Sequence, residues 1–295
     1  MIRWITLLSA LLAAVLQGCR EGDAADGAAI AELSSSAQEL DLSPSSFADL
    51  DLELKPLRPL DENVEISLFI HLLDGKQRLV RTFDRQLDEG WPISGSIRIS
   101  ARLFLSALAE PPAAGEYSVT VGLFDPLIGR FAVETRNRRV GKQEYEVARV
   151  RIAEPKPEPT RIDFLKGWAE EELTPDLEVL RDRPLLPGRR GSLRLEPIDR
   201  PAEVWFQVQL PAPGLADEVQ IHDGDRHARL RISSSCAPTF AEATGPGTHA
   251  LSLRLTPVGT RRCTILFEAN HVVRTADGRL VAPILRAVAW RSARS

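Results

Sequence analysis

The chain has 295 residues, with 37 lysines and arginines against 41 aspartates and glutamates, and its formal net charge is −4. This balance argues against nucleic acid as a partner, because surfaces that bind nucleic acid are rich in basic residues. The length allows two domains of ordinary size, each with its own hydrophobic core.

The N-terminus has the pattern of a signal peptide. Arg3 is followed by the apolar run Ile5 to Leu16, which only Thr6 and Ser9 interrupt. The run is shorter than the about 20 apolar residues that a transmembrane helix needs. A short apolar run after a basic residue is typical of a leader that directs export. No later run reaches membrane length, so we expect the remaining chain to lie in water.

The end of the apolar run, Leu16-Gln17-Gly18-Cys19, resembles the lipobox of bacterial lipoproteins. That pattern has an aliphatic residue three places before the cysteine and a small residue directly before it. Leu16 and Gly18 fit it, whereas Gln17 is bulkier and more polar than is usual. The alternative interpretation is an ordinary secretory leader with an incidental cysteine.

The lipobox resemblance implies that the leader, residues 1–18, is removed and that Cys19 carries two or three acyl chains. Each buried CH₂ group contributes about 0.8 kcal/mol, so several chains hold a soluble body firmly on a membrane. Arg20, rather than an aspartate, follows the cysteine. In a Gram-negative cell this residue favours the outer membrane, so we expect a lipid-anchored protein of the cell envelope.

The segment 19–46 is predicted to be a tether. It is rich in Ala, Ser, Asp and Gly and has no clear strand pattern. A short helix is an open alternative, because Ile30, Leu33, Ala37 and Leu40 would share one helical face. We expect this segment to hold the folded body away from the lipid.

Residues 47–153 are predicted to form a first β-sandwich domain. Leu50, Leu52 and Leu54 alternate with charged residues, and the stretch 64–72 alternates in the same way. Further strands are predicted near 78–83, 97–104, 117–123 and 145–152. A period of two predicts antiparallel sheets with one buried face, and several short strands at this spacing are typical of a sandwich.

The prolines that alternate through residues 154–160 predict a semi-rigid linker of polyproline II type. The strand pattern resumes in a second domain, residues 161–295, at 191–195, 204–210, 218–222, 227–232, 249–255, 263–268 and 284–290. The predicted fold is therefore all-β, with two tandem antiparallel β-sandwich domains, immunoglobulin-like or jelly-roll-like.

Cys236 and Cys263 both lie in the predicted second domain. An exported protein meets an oxidising compartment, where an even number of cysteines in one domain predicts a disulfide. A bond closing a loop of this length would stabilise the fold by roughly 3–4 kcal/mol. Two buried free thiols are the alternative.

Residues 66–152 carry an ordered set of motifs. They are Phe69-Ile70-His71-Leu72-Leu73-Asp74-Gly75, Asp84, Gly90-Trp91-Pro92, Gly115-Glu116-Tyr117 and Val121-Gly122-Leu123-Phe124-Asp125-Pro126 with Gly129-Arg130. This order resembles the β-sandwich domains attached to some bacterial membrane glycosyltransferases and related envelope proteins. Phe124 stands where tyrosine is common, and the turn at Asp74 is shorter. The resemblance covers about a third of the chain and implies a non-catalytic sandwich near envelope polysaccharide chemistry.

The chain has no G-x-S-x-G nucleophile motif and no glycine-rich phosphate loop. His222, Asp223, Asp225 and His227 could approach a metal, but zinc needs three or four converging ligands, and a solvated hairpin tip is the alternative. His71 suits a hydrogen-bonded structural role better than a catalytic one. We therefore expect no enzyme activity, no cofactor and no metal.

Trp91 is the candidate for an exposed aromatic platform, with Asp84, Asp88 and His71 as possible hydrogen-bonding groups for a ligand. The alternative is that its ring plugs the open end of the sandwich. Two functions remain open. The first is a scaffold or accessory subunit that presents β-sandwich domains to a protein partner. The second is a carbohydrate-binding lipoprotein involved in the synthesis, export or attachment of an exopolysaccharide or capsule.

Overall fold

A computed structural model describes residues 27–36, 39–61, 63–87, 91, 95–154, 162–170, 172–173, 181–188, 190–195, 198–214, 217–221, 227–257 and 259–292. All regular secondary structure in these ranges is β-strand, which confirms the all-β class. Within the same ranges, no helix is long and apolar enough to cross a membrane. The leader, Cys19, Asp88 and the predicted linker beyond Glu154 lie outside the described residues.

The strands before residue 155 are β1 (Ala31–Ser35), β2 (Glu39–Leu42), β3 (Phe47–Pro56), β4 (Ser67–Leu73), β5 (Leu79–Thr82), β6 (Arg85–Gln86), β7 (Ile97–Phe104), β8 (Gly115–Asp125), β9 (Gly129–Phe131), β10 (Val133–Glu134), β11 (Arg139–Gly141) and β12 (Glu144–Ile152). Those after residue 161 are β13 (Ile162–Phe164), β14 (Glu172–Leu173), β15 (Arg181–Pro184), β16 (Gly191–Leu195), β17 (Ala202–Leu210), β18 (Glu218–Ile221), β19 (Arg229–Ser234), β20 (Ala241–Thr244), β21 (Gly247–Leu255), β22 (Cys263–Ala269), β23 (His271–Arg274), β24 (Leu280–Val281) and β25 (Ile284–Ser292).

The chain divides into two compact units. Unit 1 comprises Met1–Gln38, Asp51–Ala101 and Ser118–Arg149, and unit 2 comprises Glu39–Leu50, Arg102–Tyr117 and Val150–Ser295. The predicted domain boundary at 154–160 falls almost entirely outside the described residues, so it stays a prediction.

The strands before residue 155 form two sheets. One has the order β10-β1-β3-β7, and the other has the order β11-β12-β8-β4-β5. In the second sheet, β2 also pairs with β12, β6 with β4 and β9 with β8. Alternation along β7 buries Ile97, Ile99 and Ala101 and leaves Arg98 and Ser100 exposed. In the other sheet, β8 is buried at consecutive positions from Ser118 to Leu123, so its middle is covered on both faces. Sheets that cover an apolar core in this way are the layers of a β-sandwich.

The first strand lies inside the segment that the sequence predicts to be a tether. β1 pairs antiparallel with β3, from Ala31 opposite Pro56 to Ser35 opposite Leu52, and parallel with β10. Ile30, Ala31 and Leu33 are buried. The helical alternative is therefore wrong for Ala31–Ser35, and the parallel pair departs from a purely antiparallel sandwich. The burial of alternate residues shows why: these few apolar side chains complete the inner face of a sheet.

Unit 2 contains two five-stranded sheets, β13-β16-β22-β19-β20 and β14-β15-β25-β17-β21, and a smaller sheet, β18-β23-β24. Both large sheets contribute to one apolar core. At its centre, the rings of Phe206 and Phe267 meet edge to face with centroids 5.4 Å apart. The disulfide expected from the sequence joins Cys236 and Cys263 within this core, with the Cα atoms 5.5 Å apart.

Candidate functional site

The structure brings two of the predicted ligand-binding residues together. In unit 1, His71 lies on β4, and its Nε2 atom is 3.9 Å from a carboxylate oxygen of Asp84. The same oxygen of Asp84 accepts a hydrogen bond from the backbone N–H of Ile70 at 3.0 Å. Asp84 therefore stabilises the backbone beside His71, which is a structural role.

The second partner of His71 is a residue that sequence reasoning missed. The Nδ1 atom of His71 lies 3.1 Å from Oε1 of Glu144, at the start of β12. The hydroxyl of Thr120 donates to the same oxygen at 2.5 Å, and the guanidinium of Arg130 donates to Oε2 at 3.0 Å. Thr120 is directly opposite His71 in the β4–β8 pair. Donors on β4, β8 and β9 thus surround one carboxylate on β12.

Aromatic and backbone contacts hold Arg130 in place. Its guanidinium lies 4.4 Å from the ring centroid of Phe69 and donates to the carbonyl oxygen of Lys142 at 3.0 Å. The Phe69 ring packs beside Gly122, where an added Cβ atom would come within 2.3 Å of both that ring and the carbonyl oxygen of Gln143. Only glycine fits at that position without a shift of backbone.

The groups around Glu144 favour the ionised form of its carboxyl group. The hydrogen bond from His71 lowers the pKa of Glu144 to about 2; burial opposes the shift, but Thr120 and the charges of His71 and Arg130 add to it. A carboxyl group with so low a pKa stays ionised at neutral pH and carries no proton to donate as a general acid. The hydrogen bonds of the cluster link β12 to β4, β8 and β9.

A buried carboxylate shapes the hairpin between β8 and β9. Asp125 is 3% exposed, and its side chain accepts three backbone N–H hydrogen bonds, from Leu127 at 2.7 Å, Ile128 at 2.9 Å and Glu65 at 2.9 Å. Burial opposes ionisation of Asp125, but these donors together lower its pKa. Gly129 closes the turn with a φ angle of +102°. The motif residues near the end of the resemblance thus have structural roles in this chain.

The same hairpin exposes apolar surface. Leu127 is 93% exposed and Ile128 is 53% exposed, and we call these two residues the tip. Isolated exposed aliphatic residues are common on protein surfaces. The tip differs because its two exposed residues are adjacent and their backbone is held by Asp125.

Residues of β1, β3 and β7, with Ser36 after β1, line a groove of about 490 Å³. It is lined by Ser34, Ser35, Ser36, Asp51, Leu52, Glu53, Arg98, Ile99 and Ser100. Glu53 accepts a hydrogen bond from the Ser96 hydroxyl at 2.6 Å. Asp51 and Arg98 are exposed, and their side chains have no partner among the described residues. Sequence reasoning missed this groove because one of its walls is β1.

Trp91 has a partner in unit 1. Its indole N–H donates to the carbonyl oxygen of Arg58 at 3.0 Å, and the residue is half-buried. Asp88, Gly90 and Pro92 lie outside the described residues. The ligand platform and the plug therefore both stay predictions.

In unit 2, Asp49 accepts hydrogen bonds from Arg102 at 2.8 Å and Arg291 at 2.7 Å. Burial opposes ionisation of Asp49, but the two arginines together lower its pKa. Both guanidinium groups also lie 4.3 Å from the ring centroid of Phe47, and Arg291 donates to Glu203 at 2.9 Å. Each charge in this network has an opposite charge beside it, so the network is structural.

His271, on β23, is 1% exposed, and neither ring nitrogen has a hydrogen-bond partner among the described residues. Burial lowers the pKa of His271, and the backbone of Arg229 offsets part of that effect. The carbonyl oxygen of Arg229 already accepts the N–H of Asn270. Burial therefore favours the neutral form of the His271 ring.

Across the described residues, no three His, Cys, Asp or Glu side chains converge as a metal site would require. The metal hypothesis for the hairpin at 222–227 is untested, because His222, Asp223 and Asp225 lie outside those residues.

No protein family matches the chain, and no curated protein matches it. Among solved structures, it is similar to a β-glucuronidase of Bacteroides uniformis, at 9% identity and a TM-score of 0.24. It is also similar to a calcium-binding mutant of Bacteroides uniformis β-glucuronidase 2, at 10% identity and a TM-score of 0.22. Each match covers 90% of this chain and 30% of the other chain. Similarity at this level does not indicate a function.

Proposed function

We propose that the chain is a non-catalytic lipoprotein of the bacterial cell envelope, anchored through Cys19, that binds a protein partner on its β-sandwich surface. The observation that carries the binding role is the groove between β1 and β7, where Asp51 and Arg98 present opposite charges without a partner in the described structure. The lipobox resemblance supports the anchor.

The state of the buried acids supports binding over catalysis. Glu144 and Asp49, each part of a charged cluster, are held as anions by arginine and other donors. An active site needs a nucleophile or base with a free position for the reacting atom. Neither carboxylate has such a position, because its oxygens accept hydrogen bonds from the surrounding protein.

The lining of the groove favours a polypeptide over a sugar chain. Sugars gain most of their affinity from stacking on aromatic rings, and the part of the lining that the structure describes contains no aromatic residue. Serine hydroxyls, the carboxylates of Asp51 and Glu53 and the guanidinium of Arg98 instead match the backbone and charged side chains of a protein surface. Complementary charges at such a surface increase the association rate and favour the correct partner.

The proposal is tested by crosslinking in the native host. A photoreactive amino acid placed at Ser100, within the groove, is expected to give one adduct of defined mass. Arg98→Glu reverses a charge in the groove and is expected to abolish that adduct. Arg136→Glu is the matched control, because Arg136 is exposed in unit 1 outside the groove and has no partner among the described residues. Absence of a protein adduct at Ser100, or equal loss in both variants, would contradict the proposal.

A further inference from the structure

The tip and the start of β1 lie at the same end of unit 1. The backbone N–H of Ile30 donates to the carbonyl oxygen of Ala132 at 3.0 Å, and β1 then runs parallel to β10, with Ala31 opposite Val133. β10 follows β9 after a single residue, and β9 begins at Gly129, directly after the tip. Because β1 runs parallel to β10, its first residue lies at the end of β10 that is nearer the tip.

The lengths of chain are also compatible. Ile128 and Ala132 are four residues apart, which corresponds to at most about 14 Å of extended chain. Cys19 and Ile30 are eleven residues apart, so even a fully extended connection spans at most about 40 Å. A lipid on Cys19 would therefore keep the tip within a few nanometres of the bilayer.

The tip has the chemistry of a shallow membrane contact. It presents two adjacent aliphatic side chains, and the nearest cationic side chain along the hairpin, Arg130, is paired with Glu144. Hydrogen bonds from the backbone N–H groups of Leu127 and Ile128 to Asp125 hold the turn before any contact forms, so little backbone freedom is lost on insertion. Apolar side chains gain free energy at the boundary between headgroups and acyl chains.

We propose that Leu127 and Ile128 form a second, non-covalent contact with the same bilayer that holds the lipid on Cys19. The inference rests on the lipid anchor of the proposed function. Unit 1 then stands on the membrane on its tip. Burial of the tip in a pocket of a partner protein is the competing outcome.

The test uses the full mature lipidated chain in vesicles of phosphatidylethanolamine and phosphatidylglycerol. Leu127→Cys adds one thiol for a polarity-sensitive dye, because Cys236 and Cys263 are bonded to each other. Leu79→Cys is the matched control. Leu79 is 52% exposed and lies opposite Leu73, at the end of the β4–β8 pair away from Phe124.

The dye at position 127 should shift to the blue and be quenched by nitroxide-labelled lipids, whereas the dye at position 79 should show neither effect. Equal behaviour at the two positions would overturn the inference. So would a blue shift at position 127 that appears only when envelope proteins are added.

Flotation of the vesicles separates the claim of a lipid anchor on Cys19 from the claim that the tip contacts the bilayer. A chain that floats without quenching at position 127 refutes the tip alone, and a chain that does not float refutes the anchor and the tip together.

Discussion

His71 and Glu144 are 73 residues apart in the chain, and their side chains share a hydrogen bond of 3.1 Å in unit 1. The sheet order β12-β8-β4 brings them together, with Thr120 on the strand between them. His71 belongs to the motif by which residues 66–152 resemble envelope β-sandwich domains. In this chain His71 joins neighbouring strands. Its presence in the motif therefore indicates the fold and not a function.

Glu144→Gln is expected to destabilise unit 1 by about 2–3 kcal/mol, because hydrogen bonds to a charged group are among the stronger ones in proteins. The side chain of Glu144 is 12% exposed and receives donors from three residues. Chemical denaturation measures the effect.

Glu146→Gln is the matched control for Glu144→Gln, on the same strand and with a side chain that is also 12% exposed. Its partners Arg138 and Arg149 are about 70% exposed, so Glu146→Gln should destabilise unit 1 by less than about 1 kcal/mol. Equal effects of the two substitutions would show that the His71 cluster has no special role in stability.

His271 is expected to make unit 2 sensitive to mild acid. Burial lowers its pKa in the folded state, so the unfolded chain binds the proton more readily. The stability that neutral His271 contributes is therefore fully present above the ordinary histidine pKa of about 6.5. It is lost as the pH falls below that value toward the pKa of His271 in the folded state.

The free energy of unfolding, measured between about pH 7 and pH 5, should fall more steeply for the unchanged chain than for His271→Leu. One proton gives a difference in slope of at most about 1.4 kcal/mol per pH unit. Parallel curves for the two proteins would show that His271 does not titrate differently in the folded and unfolded states.

Trp91→Ala separates the two predictions for that ring. A ring that plugs the sandwich would lose about 3–5 kcal/mol of stability on truncation. The half-buried ring and its hydrogen bond to the Arg58 carbonyl oxygen lead us to expect a smaller loss, of about 1–2 kcal/mol. Thermal unfolding measures the loss, and binding to a panel of envelope glycans tests the platform. A loss of glycan affinity with little change in the melting temperature would favour the carbohydrate-binding alternative.

Much of the fold was predictable because alternation is a local signal. The Leu50, Leu52 and Leu54 series and the stretch 204–210 form strands β3 and β17, as their period of two predicts. β1 was missed because its short Ala- and Ser-rich sequence buries only two of its five side chains. The partnership of His71 with Glu144, and the groove between β1 and β7, depend on sheet order, which a single sequence does not encode locally.

Mass spectrometry of the mature N-terminal peptide from the membrane fraction tests the lipid anchor on Cys19. We expect a peptide that begins at Cys19 and carries two or three acyl chains, and we expect that Cys19→Ser releases the protein or stalls its processing. An unmodified Cys19, or a Cys19→Ser chain that is cut normally and still fractionates with membranes, would contradict the lipid anchor.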